Sequence, residues 1–212
     1  MLRRHYLIAT LMVFAMAGLL AGCGAQQPSV KRAKPRPTPQ AKKAPEKKPA
    51  PTAKSTTPQI SAKQYVVIET TKGKIVFELY PNVAPKTVAN FVKLASEGFY
   101  NGTKFHRVVP GFVIQGGDPN SKNSDPSDDG MGGPGYTVAA EFSKLKHVKG
   151  TVAMARSQAI NSAGSQFYIC LAPQPSLDGQ YTTFGQVTAG QDVVDKIQKG
   201  DVMTKVSVTE NP

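Results

Sequence analysis

"FHRVVPGFVIQGGD", residues 105–118, has the apolar, β-branched composition of buried strand, yet it carries His106, Arg107 and Gln115 within one short run. It reads as two short strands, at 104–109 and 112–116. What an apolar wall wants with a guanidinium and an amide is the question the rest of the chain has to answer.

Upstream, "YVVIETTKGKIVFELY", residues 65–80, is two β-rich runs around Lys72-Gly73, the pattern of a hairpin. "APKTVANFVKLASEGF" then reads as a helix, with Pro85 in its first turn, Val88, Phe91, Val92 and Ala95 on one face, and Gly98 placed to end it. Downstream lies a Gly/Asp/Ser/Pro-rich loop from about 117 to 135, long enough to be functional. Further strands are expected at 136–141, 151–155, 166–171, 182–188 and 202–209, with a short helix near 191–198. Many short strands without a β-α rhythm indicate a mainly β domain, an antiparallel sheet or barrel. Residues 65–212 suffice for one such domain.

The first 64 residues have another purpose. Arg3 and Arg4 precede an apolar run from Leu7 to about Leu20, too short for a comfortable membrane span and followed by "LAGC", residues 20–23. That order is a secretory signal over residues 1–22, and the small residues before Cys23 resemble a bacterial lipobox. An ordinary signal peptide with an incidental cysteine is the alternative. Lipid on Cys23 would bring at least two acyl chains, enough for stable anchoring. The expected location is therefore exported, on the extracytoplasmic side of a bacterial membrane.

Residues 23–64 contain Pro28, Pro35, Pro37, Pro39, Pro45, Pro49, Pro51 and Pro58 with hardly a large apolar side chain. The expected state is a disordered tether biased to polyproline II. Residues 1–64 hold 12 Lys and Arg against one acid, Glu46, whereas residues 65–212 hold 14 against 13, so the formal charge of +12 belongs almost wholly to the first part. A nucleic-acid-binding face on the domain is thereby unsupported. The basic tether either contacts anionic lipid or cell-wall polymer, or is simply solvated. With Cys23 lipidated, Cys170 is unpaired and reads as a small buried hydrophobe. His106 and His147 have no metal-ligand spacing, and no metal or cofactor is expected.

The stretch at 105–118, followed by "GTVAMARS" (150–157), "NSAGSQFYI" (161–169) and "LDGQYTTFGQV" (177–187), resembles the cyclophilins, peptidyl-prolyl cis-trans isomerases of the bacterial single-domain type. The likeness covers residues 65–209 in order and spacing. It implies a closed eight-stranded antiparallel β-barrel capped by two helices, a monomer, with the active groove on its outer surface. It implies a catalytic role for Arg107 and Gln115, and a proline pocket of Phe112, Val113, Tyr168 and Leu177 with Gln166 beside it. His106 and Tyr181 align at the rim, and for His106 a structural hydrogen bond stands beside substrate contact. Ala155 and Arg156 match the strand that holds the substrate chain. The partners implied are proline-containing segments of exported or unfolded proteins.

Three departures from the family pattern stand out. Ser176 replaces the tryptophan of cyclophilins that bind cyclosporin tightly, Val113 replaces a longer methionine, and "RSQAINSAG" (156–164) looks one residue longer than the common eukaryotic form. Two other readings compete with catalysis. One is a tethered binding or chaperone module for proline segments without essential turnover; the other is a wall-associated structural lipoprotein.

Overall fold

A computed structural model of the chain describes residues 63–212. The expectations for the signal, for Cys23 and for the tether as far as position 62 lie outside the described residues.

β1 (Tyr65–Thr70) and β2 (Gly73–Leu79) pair antiparallel with Thr70 opposite Gly73. The two-residue loop is therefore Thr71-Lys72, one residue earlier than expected. α1 (Pro85–Ser96) begins with Pro85, whose missing N–H is no loss there, and buries Val88, Phe91 and Ala95. Gly98, at φ 70°, supplies the left-handed residue that follows the helix.

The start of α1 lacks a local side-chain cap, since Ala84 precedes it. Glu141 acts instead: its carboxylate accepts from the N–H groups of Lys86 and Thr87 at 3.0 and 2.8 Å, a negative charge at the positive helix end. Tyr136 donates from its hydroxyl to Asn90 Oδ1 on the same helix at 2.7 Å. This is why the strand expected at 136–141 does not form. That segment is spread along α1 as a brace and makes only one isolated bridge, Val138 to Ala163.

The remaining strands are β3 (Arg107–Val109), β4 (Val113–Gly116), β5 (Thr151–Met154), β6 (Phe167–Cys170), β7 (Thr183–Ala189) and β8 (Met203–Thr209). α2 (Gln191–Val194) is half the expected length. Its continuation makes tighter three-residue bonds, such as Ile197 N–H to Val194 O, and still delivers Ile197 to the core. All eight strands join one antiparallel sheet in the order β3-β4-β6-β5-β7-β2-β1-β8.

The expected closure of this barrel is corrected: β3 and β8 are the two edges and no ladder joins them, which leaves an open half-barrel. Chain just ahead of each edge strand meets through the isolated bridge Lys104 to Val202 and bonds such as Phe105 N–H to Asp201 O, 2.9 Å. With only three residues, β3 is too short to run a register along β8.

Alternation along the strands builds two separate apolar clusters. In β6, Phe167 and Ile169 point to the main core under α1, while Tyr168 and Cys170 point to the opposite face. Ile114 and Val113 divide the same way in β4, and Val152 and Ala153 in β5. The small outer cluster of Val113, Ala153, Tyr168 and Cys170 is the floor on which the site is built.

Candidate active site

The registers place Arg107 opposite Gln115, Gln115 opposite Tyr168, and Tyr168 opposite Ala153. One transverse row across β3, β4, β6 and β5 therefore carries a guanidinium, an amide and an aromatic ring, at strand spacings of about 4.8 Å. The polar residues of the 105–118 stretch thus belong to the outer face of the sheet, and its apolar residues divide between that face and the core.

A groove of about 220 Å³ lies over this row. Arg107, Phe112, Val113 and Gln115 line it from the β3–β4 side. Tyr168 forms the floor, Leu177 and Tyr181 the opposite apolar side, and Ala155 and Arg156 lie just past the end of β5. Leu177 sits on a short 3-10 turn, Pro175–Leu177.

Arg107 Nη1 donates to Gln115 Oε1 at 3.3 Å, and the guanidinium carbon lies 5.7 Å from the Phe112 ring centroid. Gln115 Nε2 donates to Gln166 Oε1 at 3.0 Å, and Gln166 Nε2 donates to the carbonyl oxygens of Gly130 and Gly132 at 2.8 and 2.9 Å. The two glycine carbonyls can only accept, which fixes the amide orientation of Gln166, then of Gln115. The relay therefore ends with an oxygen facing Arg107. It engages one of the five guanidinium donors and leaves the others without a hydrogen bond to the described residues.

Arg156 is held differently. Its Nε donates to Gln180 O at 3.1 Å and its Nη1 to Ser157 O at 2.9 Å, with the guanidinium carbon 4.8 Å from the Tyr181 ring centroid. It is a clamp between the 157–158 loop and the Tyr181 edge of the groove.

Two of the expected site residues do not line the groove. Gln166 reaches it only through Gln115 and lines an adjoining hollow of about 520 Å³, whose other walls include Gly130–Thr137 of the long loop. That loop leaves β4 through Gly117, at φ 84°, where a Cβ would meet Ser165 O at 2.6 Å. His106 is buried beneath the loop, with Gly130 over its imidazole, and neither ring nitrogen has a partner among the described residues. Burial lowers its pKa, against the raising influence of Asp118 and Asp129.

Burial pushes the Cys170 thiol up to about 12, with Asp178 adding to the shift, which leaves it a packing residue and not a nucleophile. Among the described residues no group of His, Cys, Asp and Glu is placed to hold a metal ion. His147, which the sequence left without a role, lies directly behind the groove. Its Nε2 is 3.0 Å from the Tyr168 hydroxyl and its Nδ1 3.1 Å from Asp178 Oδ1. Partners 21 and 31 residues away leave no local spacing from which such a contact could be read.

Residues 65–212 match the family model described as cyclophilin type peptidyl-prolyl cis-trans isomerase/CLD. A peptidyl-prolyl cis-trans isomerase of Synechococcus elongatus is 46% identical over 144 residues, spanning 67% of this chain and 94% of the relative. Peptidyl-prolyl cis-trans isomerase B of Bacillus subtilis is 49% identical over 137 residues, spanning 64% and 91%. Among solved structures, a cyclophilin type isomerase of Cryptosporidium parvum is similar at a TM-score of 0.63 and 31% identity, covering 71% of this chain and 99% of that one. The same protein crystallised in the presence of the dipeptide Ala-Pro is similar at a TM-score of 0.62. The chain belongs to the cyclophilin-type peptidyl-prolyl cis-trans isomerases, enzymes that rotate X-Pro bonds between cis and trans.

Proposed function

We propose that the groove over β3, β4, β6 and β5 is where the X-Pro bond is turned, with Phe112, Val113, Tyr168 and Leu177 holding the pyrrolidine ring and Arg107 acting on the prolyl nitrogen. The observation that carries this is the single row Arg107–Gln115–Tyr168, which sets a guanidinium at the lip of an apolar pocket. Rotation breaks amide resonance across about 18–20 kcal/mol without making or breaking a bond, so no nucleophile is called for. In the twisted amide the nitrogen regains a lone pair. A guanidinium that cannot lose its proton donates to that lone pair more strongly than to the planar amide, which is differential binding of the transition state. The Gln166–Gln115 relay would preorganise the donor, and the apolar walls would exclude water and strengthen its bond. The Ala-Pro dipeptide named with the Cryptosporidium parvum relative supports a proline ligand of this kind. Turnover of an X-Pro tetrapeptide by the wild type and by Arg107→Ala is the test.

Drug sensitivity follows from the groove edge. Ser176 is exposed beside Leu177 and offers no large ring to a bulky cyclic peptide, and Val113 is a short wall. Cyclosporin A is expected to inhibit only at about 1 μM or above, and a nanomolar inhibition constant in the tetrapeptide assay would refute this.

The clients are inferred to be exported polypeptides, met by an enzyme lipid-anchored through Cys23. The run Leu7–Leu20 followed at once by "LAGC" supports this reading. In bacterial cells an alkynyl palmitate is expected to label the wild-type chain. Cys23→Ser should be unlabelled and leave the membrane fraction; labelling of that variant would exclude the anchor.

A further inference from the structure

The geometry points to His147 as a positioning residue of the proline site: together with Asp178 it holds the Tyr168 ring as the groove floor and ties that floor to the Leu177 wall. This inference rests on the groove being where the X-Pro bond is turned.

His147 comes from the segment before β5, and its side chain is 1% exposed. Asp178 Oδ1 accepts from the His147 backbone N–H at 2.8 Å and lies 3.1 Å from Nδ1, while Lys146 Nζ lies 3.1 Å from Oδ2. The backbone N–H first, and the Lys146 and His147 side chains with it, hold the Asp178 carboxyl at about 2. An ionised carboxylate only accepts, so Nδ1 carries a proton, and in the neutral imidazole Nε2 then accepts from the Tyr168 hydroxyl. The hydroxyl is thereby drawn to the back of the pocket, and the ring presents an apolar face at right angles to Tyr181, 82° at 5.8 Å.

Asp178 is also the residue that ends the turn carrying Leu177. One imidazole, 21 and 31 residues upstream of its partners, therefore couples the floor on β6 to the side wall on the turn that follows it. A pyrrolidine ring held by dispersion is sensitive to such coupling, because a gap of half an ångström already forfeits much of each contact. Losing the coupling should weaken binding of substrate and transition state alike, raising KM while kcat holds.

The experiment is steady-state isomerisation of an X-Pro tetrapeptide by the full chain, with a thermal melt for every variant. His147→Phe is expected to raise KM about ten-fold with kcat within about two-fold, and His147→Gln, whose amide oxygen can again accept from Tyr168, to recover most of that rise. In the Tyr168→Phe background, with no hydroxyl to hold, His147→Phe should change KM less than about two-fold. A folded His147→Phe with wild-type KM would overturn the inference whatever its melting temperature, and so would an undiminished rise in the Tyr168→Phe background. If His147→Phe does not fold, Asp178→Asn decides: KM raised about three-fold supports the inference and unchanged KM overturns it. Arg107→Ala separates the two readings. If it retains full kcat, the groove assignment and this inference fall together; if it is inactive while the His147 series leaves KM flat, only this inference falls.

Discussion

Replacing Arg107 by alanine is expected to lower kcat/KM for an X-Pro tetrapeptide by about 10²–10³-fold, the size seen when one preorganised transition-state donor is removed. Uncatalysed isomerisation takes roughly 10–100 s, so an enzyme turning over at about 10–1,000 per second lowers the barrier by roughly 3–7 kcal/mol. A single donor worth about 3–4 kcal/mol is thus roughly two-fifths or more of the whole effect. The loss should fall on kcat, because the apolar pocket that binds the ring is untouched. The fold should not notice: Arg107 is exposed, on an edge strand, with Gln115 as its hydrogen-bond partner, so a melting temperature within about 2 °C of wild type is expected. Arg107→Lys keeps the charge without the planar fork and should recover only part of the rate. Activity of Arg107→Ala within about three-fold of wild type would end the proposed role for this residue.

What could be read before the fold was known divides along physical lines. The hairpin of β1 and β2, α1 and its buried face, and the strands around Arg107, Gln115 and Tyr168 were legible because each is fixed by local periodicity. Failures came where long-range contacts decide. The 136–141 segment has the composition of a strand, but Tyr136 and Glu141 find partners on α1, and those bonds outweigh a ladder. Closure of the barrel depends on whether β3 and β8 share a register, which neither strand encodes alone. His106 sits in the most informative stretch of the chain, yet alternation between Phe105 and Arg107 could not say that the long loop would fold over it. The role of His147 required two partners brought in by β6 and by the Leu177 turn.

The largest stability effect is expected from Phe91→Ala. Phe91 is fully buried on α1, 4.7 Å from Tyr100, 5.3 Å from Phe184, 5.4 Å from Phe167 and 5.7 Å from Phe77 between ring centroids. Those rings come from β2, β6, β7 and the turn that follows α1, so this one side chain joins α1 to three strands. Truncation removes its transfer energy and leaves a cavity that four rigid rings cannot fill, a loss of about 3–5 kcal/mol. Against a total stability of about 5–15 kcal/mol the variant sits near the threshold of folding. For a domain of this size the melting temperature should fall by roughly 6–20 °C. The groove lies on the other face of the sheet, over the separate cluster of Val113, Ala153, Tyr168 and Cys170. In the cold, where the variant is still folded, kcat/KM should therefore stay within about two-fold of wild type, and calorimetry beside the tetrapeptide assay checks both halves. A melting temperature that hardly moves would mean the helix is held by its polar braces at Glu141 and Tyr136, whereas a collapse of activity at full folding would mean that the two faces of the sheet are coupled after all.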